Sequence, residues 1–154
     1  SRYADQSLEI RKNLGDTGGI AKTMVTKADI LIGKHHFDAA LDLLAKSGNI
    51  FLQINDEHGM VEALEQLASL ASHQDLYAKV VVLYAAADEI RKKLRLPLPP
   101  VAQQDRDARV ECARNALGHT KFDVEWEKGR GMPPREAFAL GVKQITNPYG
   151  NSDE

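Results

Sequence analysis

Residues 10–20 read IRKNLGDTGGI, and forty residues later the chain returns to the pattern as IFLQINDEHGM over residues 50–60. After another forty residues, residues 90–94 read IRKKL and run into proline instead of a third Gly/Asp turn. The aligned positions conserve residue character: Ile10, Ile50 and Ile90; Leu14, Ile54 and Leu94; Asp16 and Asp56; Gly19 and Gly59. A fixed period of roughly 20 to 50 residues is the signature of repeat architectures. The sequence therefore predicts an all-α fold, a solenoid of helix-turn-helix units.

The composition excludes several classes of protein. The chain has 154 residues, of which 43% are hydrophobic and 27% charged, and its formal net charge is -2. This near-neutral balance argues against direct nucleic-acid binding, which needs a basic patch. The longest apolar run, residues 80–87, is too short to span a bilayer, and the single Cys112 excludes a disulfide framework. We expect a soluble, cytoplasmic protein with no membrane partner.

The repeated pattern predicts paired helices along the first two thirds of the chain. Apolar residues recur at intervals of three and four over residues 20–33, 37–54, 60–72 and 76–94. Gly15 is expected to end a preceding helix, and Asp16 or Thr17 to cap the next one.

Residues 3–14 also read as a helix, with Tyr3, Leu8 and Ile10 near one side. This helix matches the second helix of the later pairs, but no first helix precedes it. Because a lone half-repeat cannot bury its apolar face, we expect the chain to be a piece of a longer protein.

The C-terminal third departs from the repeat. Pro100 is expected to open a charged helix that Gly118 closes, and Phe122 and Trp126 lie one helical turn apart. A last amphipathic helix carries apolar residues on one face, namely Ala137, Phe138, Gly141, Val142 and Ile145. The predicted organisation is repeats over residues 1–96 (a half-repeat 1–14 and full repeats 16–54 and 56–94), a helical cap over 97–146 and a flexible tail over 147–154.

Two sets of residues resemble the tetratricopeptide repeat. The second-helix positions resemble its aromatic, small and bulky pattern: Phe37, Ala40 and Leu44, then Tyr77, Val80, Tyr84 and Ala87. A small residue is needed where two helices cross closely, and a bulky one fills the adjacent groove. The forty-residue period is longer than the common thirty-four, and Lys27 stands where an apolar residue is usual.

The C-terminal order of motifs resembles a more specific ending. Residues 96–100 read LPLPP, a helix ends in Ala-Leu-Gly, and a Phe-x3-Trp-x2-Gly-Arg-x-Met-x3-Glu-Ala pattern follows. This is similar to the C-terminal tetratricopeptide arm of large bacterial ATP-binding transcriptional regulators of the LuxR type and the antibiotic-regulatory-protein type. Pro133 departs from the pattern, since a Ser or Thr usually stands there to cap the last helix.

The resemblance implies a non-catalytic interaction or sensor module, with ATP and DNA binding in domains outside this chain. An alternative is the arm of a signalling enzyme whose nucleotide-cyclase or protein-kinase head lies elsewhere. No cofactor or metal is expected.

Four local features could suggest chemistry, and each has a simpler interpretation. The glycine-rich residues 15–19 lack the lysine of a phosphate loop, so turn chemistry is favoured. His35 and His36 are adjacent and lack further ligands at metal spacing, which favours a solvated turn. The charged residues 105–114 are typical of a solvated helix face, although a recognition helix is the alternative. Phe122 and Trp126 could stack a ligand, but a cap on the solenoid is favoured.

By resemblance, the first helix of each repeat lines a concave groove. The groove positions are Lys22, Val25, Asp29 and Ile32 in the first full repeat, and Glu62, Glu65, Ser69 and Ser72 in the second. The first helix bears lysine and the second bears carboxylates, so the groove could orient a protein or peptide partner, or another domain of the same parent chain. Homo-oligomerisation is a further possibility, and an ordinary solvated surface is the alternative.

Overall fold

The computed structural model describes the backbone of residues 2–13 and 16–143, and the side chains of residues 2–9 and 16–143. It confirms an all-α, solenoid-like fold, and no strand occurs in these ranges. The helices, in chain order, are α1 (Arg2–Asn13), α2 (Thr17–Gly33), α3 (Phe37–Gln53), α4 (Glu57–His73), α5 (Tyr77–Leu94), α6 (Pro100–Leu117), α7 (His119–Arg130) and α8 (Pro134–Val142).

Four helices end in the same turn, spaced twenty residues apart. His35, Asn55, Asp75 and Arg95 all adopt the left-handed conformation, with φ between 56° and 63°. After each of them, the next backbone N–H donates to a carbonyl five residues earlier, as His36 does to Leu31 at 2.8 Å and Leu96 to Arg91 at 2.9 Å. This is the hydrogen bond of a Schellman helix end, which satisfies carbonyls that the helix leaves unpaired. Each forty-residue sequence repeat therefore contains two helices that end in structurally equivalent turns.

The repeated Asp/Gly pair caps helices. The carboxylate of Asp16 accepts a hydrogen bond from the Gly19 N–H at 2.8 Å, and Asp56 does the same for Gly59 at 2.9 Å. Gly59 must lack a side chain because a Cβ there would stand 2.3 Å from the ring of Phe51. The prediction that residues 15–19 serve turn chemistry, with Asp16 as a cap, agrees with this geometry.

The helices pack as successive hairpins, with α2 against α3 and α4 against α5, and α2 also contacts α4. The largest side chains with no exposed surface come from three of these helices: Leu44 and Phe51 on α3, Leu64 and Leu67 on α4, and Leu83 on α5. The C-terminal helices turn back onto this body. Helix α7 packs on α5, α6 contacts α4 and α5, and α8 crosses α3, α4 and α5.

The C-terminal helix bounds show how proline and glycine delimit helices. Helix α6 begins at Pro100 and has Gly118 as its C-cap, as expected. Helix α8 begins at Pro134 without a side-chain cap, because Pro133 supplies no hydroxyl at the preceding position. The amphipathic face of α8 is confirmed for Ala137, Phe138 and Gly141, which are buried.

Several sequence expectations were wrong in detail. Tyr3 was expected on the apolar side of α1, but 80% of its surface is exposed, and Ala4 is the buried residue. The described backbone stops at residue 13, resumes at 16 and stops again at 143, so the predictions for Gly15, Ile145 and the tail 147–154 fall outside the described residues. Among the described helices, none is sufficiently long and apolar to cross a bilayer.

Candidate interaction groove

A groove of about 400 Å³ lies between the first helices of the two repeats and the N-terminal half of α6. We call it the α6 groove. The repeat helices contribute Asp29 from α2, Glu65, Gln66 and Ser69 from α4, and Tyr84 from α5. The opposite wall consists of Leu98, Pro99, Val101, Ala102, Asp105, Arg106 and Arg109. Its volume falls within the range of small ligand sites, roughly 300–1,000 Å³.

The α6 groove brings together three of the eight residues predicted for a concave surface. Asp29, Glu65 and Ser69 line it. Lys22 is exposed, and Glu62 and Ser72 are half-buried, but these three do not line it.

Two other predicted surface residues belong to the core. Val25 is 7% exposed and Ile32 is 2% exposed, and both join the buried cluster together with Ala21 and Ala28. The prediction is wrong for these two because α2 buries positions 21, 25, 28 and 32. The three- and four-residue spacing of apolar residues within 20–33 had suggested a stripe one residue out of phase, namely Ile20, Met24, Ala28 and Leu31. A one-residue error rotates a helix face by about 100°.

Glu65 forms a bidentate ion pair with an arginine of the neighbouring helix α5. Arg91 Nε donates to Glu65 Oε2 at 2.5 Å, and its second nitrogen donates to Oε1 at 2.8 Å. The third nitrogen of Arg91 donates to the carbonyl of Leu96, just before the linker to α6. The hydrogen bonds that Arg91 donates to Glu65 raise the pKa of Arg91, so this guanidinium stays charged. Glu65 therefore organises the groove and is not free to receive a partner.

A second cluster anchors α6 to α5. Arg106 pairs with Asp88 on α5 and with Asp107 beside it on α6. Burial raises the pKa of the Asp88 carboxyl, and the Arg106 guanidinium partly offsets this effect. The same guanidinium lies 5.9 Å from the ring centroid of Tyr84 and 5.5 Å from that of Trp126, within range of cation–π attraction.

Arg109 differs from these arginines because its hydrogen-bond partner is neutral. Its guanidinium donates to the hydroxyl of Tyr84 at 3.3 Å. Burial raises the pKa of that hydroxyl, which therefore stays protonated at neutral pH.

The sequence interpretation missed the contribution of α6. Residues 105–114 were assigned to a solvated face, and Asp105, Asp107 and Glu111 are indeed exposed. Arg106 and Arg109, however, point toward the body together with the buried Val110 and Ala113. The spacing of these inward positions, three and four residues apart, was the available signal.

Two polar groups in the groove lack partners. Gln66 Oε1 is buried and accepts no hydrogen bond. Ser69 is 6% exposed, lines the groove and has no hydrogen-bond partner within the described parts of the chain. Buried polar atoms are rarely left unpaired, so Gln66 Oε1 is a candidate hydrogen-bond acceptor, and the Ser69 hydroxyl beside it is a second one.

The histidines do not form a metal site in the described residues. His35, in the α2–α3 turn, and His73, at the end of α4, bring their ring centroids within 5.6 Å of each other, and Phe37 contacts both. No group of three or more His, Cys, Asp or Glu side chains is placed to hold a metal within residues 2–9 and 16–143. The sequence did not predict that His35 and His73 meet, because they lie 38 residues apart.

The two C-terminal aromatics pack on the hydrophobic core. Phe122 and Trp126 stack with centroids 5.8 Å apart, and Arg114 covers the ring of Phe122 at 4.3 Å. Phe122 is 4% exposed, whereas Trp126 is only partly buried.

The chain is similar to one part of three much longer proteins. Proteins of Mycobacterium bovis and of two strains of Mycobacterium tuberculosis, provisionally named HTH-type transcriptional regulators, are each 31% identical to it over 85 residues. The match covers 55% of this chain and 10% of each relative, so the chain spans about a tenth of their length. No protein-family model and no solved structure matches the chain.

Proposed function

We propose that this chain is a non-catalytic interaction and sensor arm of a multidomain bacterial transcriptional regulator, built from tetratricopeptide-like repeats. The observation that carries the proposal is the unequal coverage of the match. More than half of this chain aligns with proteins named as transcriptional regulators, yet it accounts for only a tenth of each of them. A segment of this size corresponds to one module of a large regulator and is too small a share to account for the regulator's whole activity.

The α6 groove supports a binding role for this arm. It is open, it combines charged and apolar side chains, and it is lined by four helices, α2, α4, α5 and α6. The proposed partner is a cytoplasmic protein or peptide, or another domain of the same parent chain.

The groove also offers a route by which binding could alter the regulator. Helix α6 buries only Val110 and Ala113 fully, so its N-terminal half is held mainly by polar contacts. A partner in the groove contacts α2, α4 and α6 at once and therefore favours one placement of α6 over others. A ligand shifts such an equilibrium only by its difference in affinity for the two placements.

The test is made in the organism that encodes the chain. In its own gene, Asp29 and Asp105 are both changed to lysine, and RNA sequencing compares this strain with the wild type. We expect a limited set of transcripts to change, and an equal change is expected when the segment 16–143 is deleted.

The matched control changes Asp42 and Asp123, two exposed aspartates on α3 and α7, to lysine. This strain should keep the wild-type transcripts. Unchanged transcripts in the deletion strain would refute the proposal. A change in cyclic-nucleotide or phosphoprotein levels in that strain would instead favour a signalling enzyme.

A further inference from the structure

We propose that the α6 groove binds a lysine or arginine side chain carried by a segment of the partner. This inference rests on the proposed function, because it specifies the chemistry by which the interaction arm recognises its partner. The argument uses the charge balance, the unpaired acceptors and the apolar rim of the groove.

The charge balance of the groove is acidic. When the ion-pair partners of its lining residues are included, the carboxylates are Asp29, Glu65, Asp88, Asp105 and Asp107, and the guanidinium groups are Arg91, Arg106 and Arg109. The carboxylates exceed the cations by two. Asp29 and Asp105, on opposite walls, have neither an ion pair nor a hydrogen bond within the described residues, whereas Glu65, Asp88 and Asp107 are already paired.

The unpaired polar groups require a donor. Gln66 Oε1 is a buried acceptor without a partner, and the hydroxyl of the nine-tenths-buried Ser69 can also accept. An ammonium or guanidinium group carries several N–H donors and no acceptor, so its chemistry matches that of these oxygens and of the two carboxylates. Hydrogen bonds to charged groups contribute about twice as much as neutral ones.

Arg109 does not close the groove to a cation. Its guanidinium is engaged by the Tyr84 hydroxyl on the α5 side, and Arg106 is held between Asp88 and Asp107. The acceptors that remain open are therefore those of α2, α4 and the first turns of α6.

The apolar rim favours a chain segment over a free amine. Leu98, Pro99 and Ala102 line the wall, and Val101 beside them is 71% exposed. A small amine placed among the carboxylates would leave this rim uncovered. The residues that flank a lysine or arginine in a partner segment would cover it, and burial of apolar surface contributes about 25 cal/mol per Å².

A second cavity makes a useful contrast. It has about 600 Å³ and lies on the other side of residues 96–98, with cationic residues Arg91, Lys92, Arg95 and Arg106 on its walls. Its cations are balanced by Asp88 and by the paired carboxylates Glu65, Glu89 and Asp107. Without a charge excess, it gives no comparable reason to bind an ion.

The test is an NMR titration of the isotope-labelled chain with the blocked pentapeptide ALRLA. Its control is the same peptide with citrulline, the uncharged isostere of arginine. We expect saturable shifts of backbone amides on α2, α4 and α6 with the arginine peptide, and binding about tenfold weaker with citrulline, equivalent to about 1.4 kcal/mol. Equal binding of the two peptides, or shifts that map elsewhere, would overturn the proposal.

Two further arms fix the site and the source of the cation. The double variant Asp29→Asn/Asp105→Asn should weaken the arginine peptide about tenfold, equivalent to about 1.4 kcal/mol, and Asp42→Asn/Asp123→Asn should not. All four aspartates are exposed, so folding should be retained, and the amide spectrum of each variant reports it. N-ethylguanidinium, a free guanidinium with a single positive charge, should bind more weakly than the peptide. Binding of this cation as strong as that of the peptide would overturn the assignment to a chain segment.

These results separate the two proposals. A transcript response that depends on the groove, without preference for arginine over citrulline, would refute recognition of a cationic side chain but not the proposed interaction arm. Peptide binding without any transcript response in the deletion strain would refute the regulatory role.

Discussion

The ring of Phe138 on α8 occupies the space above Gly48 on α3. A Cβ atom on Gly48 would stand 2.0 Å from Cε1 of Phe138, far inside van der Waals contact. The absence of a side chain at Gly48 thus allows the last described helix to lie directly on the first full repeat. This contact packs α8 against α3 over a sequence separation of ninety residues.

Replacing Gly48 with alanine should destabilise the protein. Overpacking costs about 1–3 kcal/mol, and only part of this is recovered from the roughly 1 kcal/mol by which alanine favours a helix. Urea denaturation should show a lower midpoint for Gly48→Ala. The control is Gly33→Ala, where no atom lies within 4 Å of the added Cβ and stability should be unchanged or slightly higher. A midpoint for Gly48→Ala at or above the wild-type value would contradict the packing, and Phe138→Leu should partly rescue the variant.

Changing Arg91 to lysine should also lower stability. Lysine keeps the charge but cannot donate two parallel hydrogen bonds to Glu65 and a third to the Leu96 carbonyl. The paired side chains are 13% and 16% exposed, so the expected loss, about 1–2 kcal/mol, lies between those of exposed and buried pairs. The comparison is Lys46→Met, which removes the exposed pair with Asp42 and should change stability by less than about 0.5 kcal/mol. A double-mutant cycle with Glu65→Gln measures the coupling, and a value near zero would refute it.

Phe122 should matter more to stability than Trp126. Sequence reasoning treated Trp126 as a buried cap residue, but Phe122 is the one with only 4% of its surface exposed. Truncation of a buried phenylalanine costs about 3–5 kcal/mol, whereas the partly buried Trp126 should lose about half as much. Thermal melts of Phe122→Ala and Trp126→Ala test the order. The reverse order would mean that Trp126 is the main anchor of α7.

The stability of the fold should fall as the pH drops below neutral, partly through His73. Partial burial lowers the pKa of His73, and the positive charges of Arg109 and His35 lower it further. The unfolded chain therefore binds a proton more readily at this residue than the folded one. Its contribution to stability is complete above the ordinary histidine pKa of about 6.5 and is lost as the pH falls through the lowered value.

Urea midpoints measured at about pH 7.5 and about pH 5.0, on either side of the ordinary histidine pKa of about 6.5, test this effect. The loss between them should be smaller in His73→Gln than in the wild type. His36→Gln, at an exposed histidine of the neighbouring turn, should keep the wild-type loss. An equal loss in all three proteins would show that His73 is not a source of the pH dependence.

Local signals in the sequence predicted the helices well. Asp16 and Asp56 mark the starts of α2 and α4, and Pro100 and Gly118 mark the two ends of α6. These signals are local because helix capping and proline geometry depend on residues close in sequence. The left-handed turns were not predictable from composition. His35, Asn55 and Asp75 are residue types enriched in this conformation, but they are common elsewhere too, and Arg95 is not such a type. The helix-end hydrogen bonds impose it regardless of residue type.

The candidate site depended on tertiary contacts that the sequence does not display. Glu65 meets Arg91 across 26 residues, and Asp29 lines the same groove as the first turns of α6, which follow more than seventy residues later. The phase of α2 was equally hidden, since Ile20, Met24, Val25 and Ile32 are all apolar. Which of them turns inward depends on α3, against which α2 packs.

The twenty-residue spacing of identical turns bears on how such an arm could change in length. Helices α3, α4, α5 and α6 each follow a residue in the same left-handed conformation, so a duplicated pair of helices would present the same faces to its neighbours. Copy number can then grow in steps of two helices without altering the α6 groove, provided that α2, α4, α5 and α6, which line it, are kept. The length of the helical array and the chemistry of the α6 groove can thus change independently in evolution or engineering.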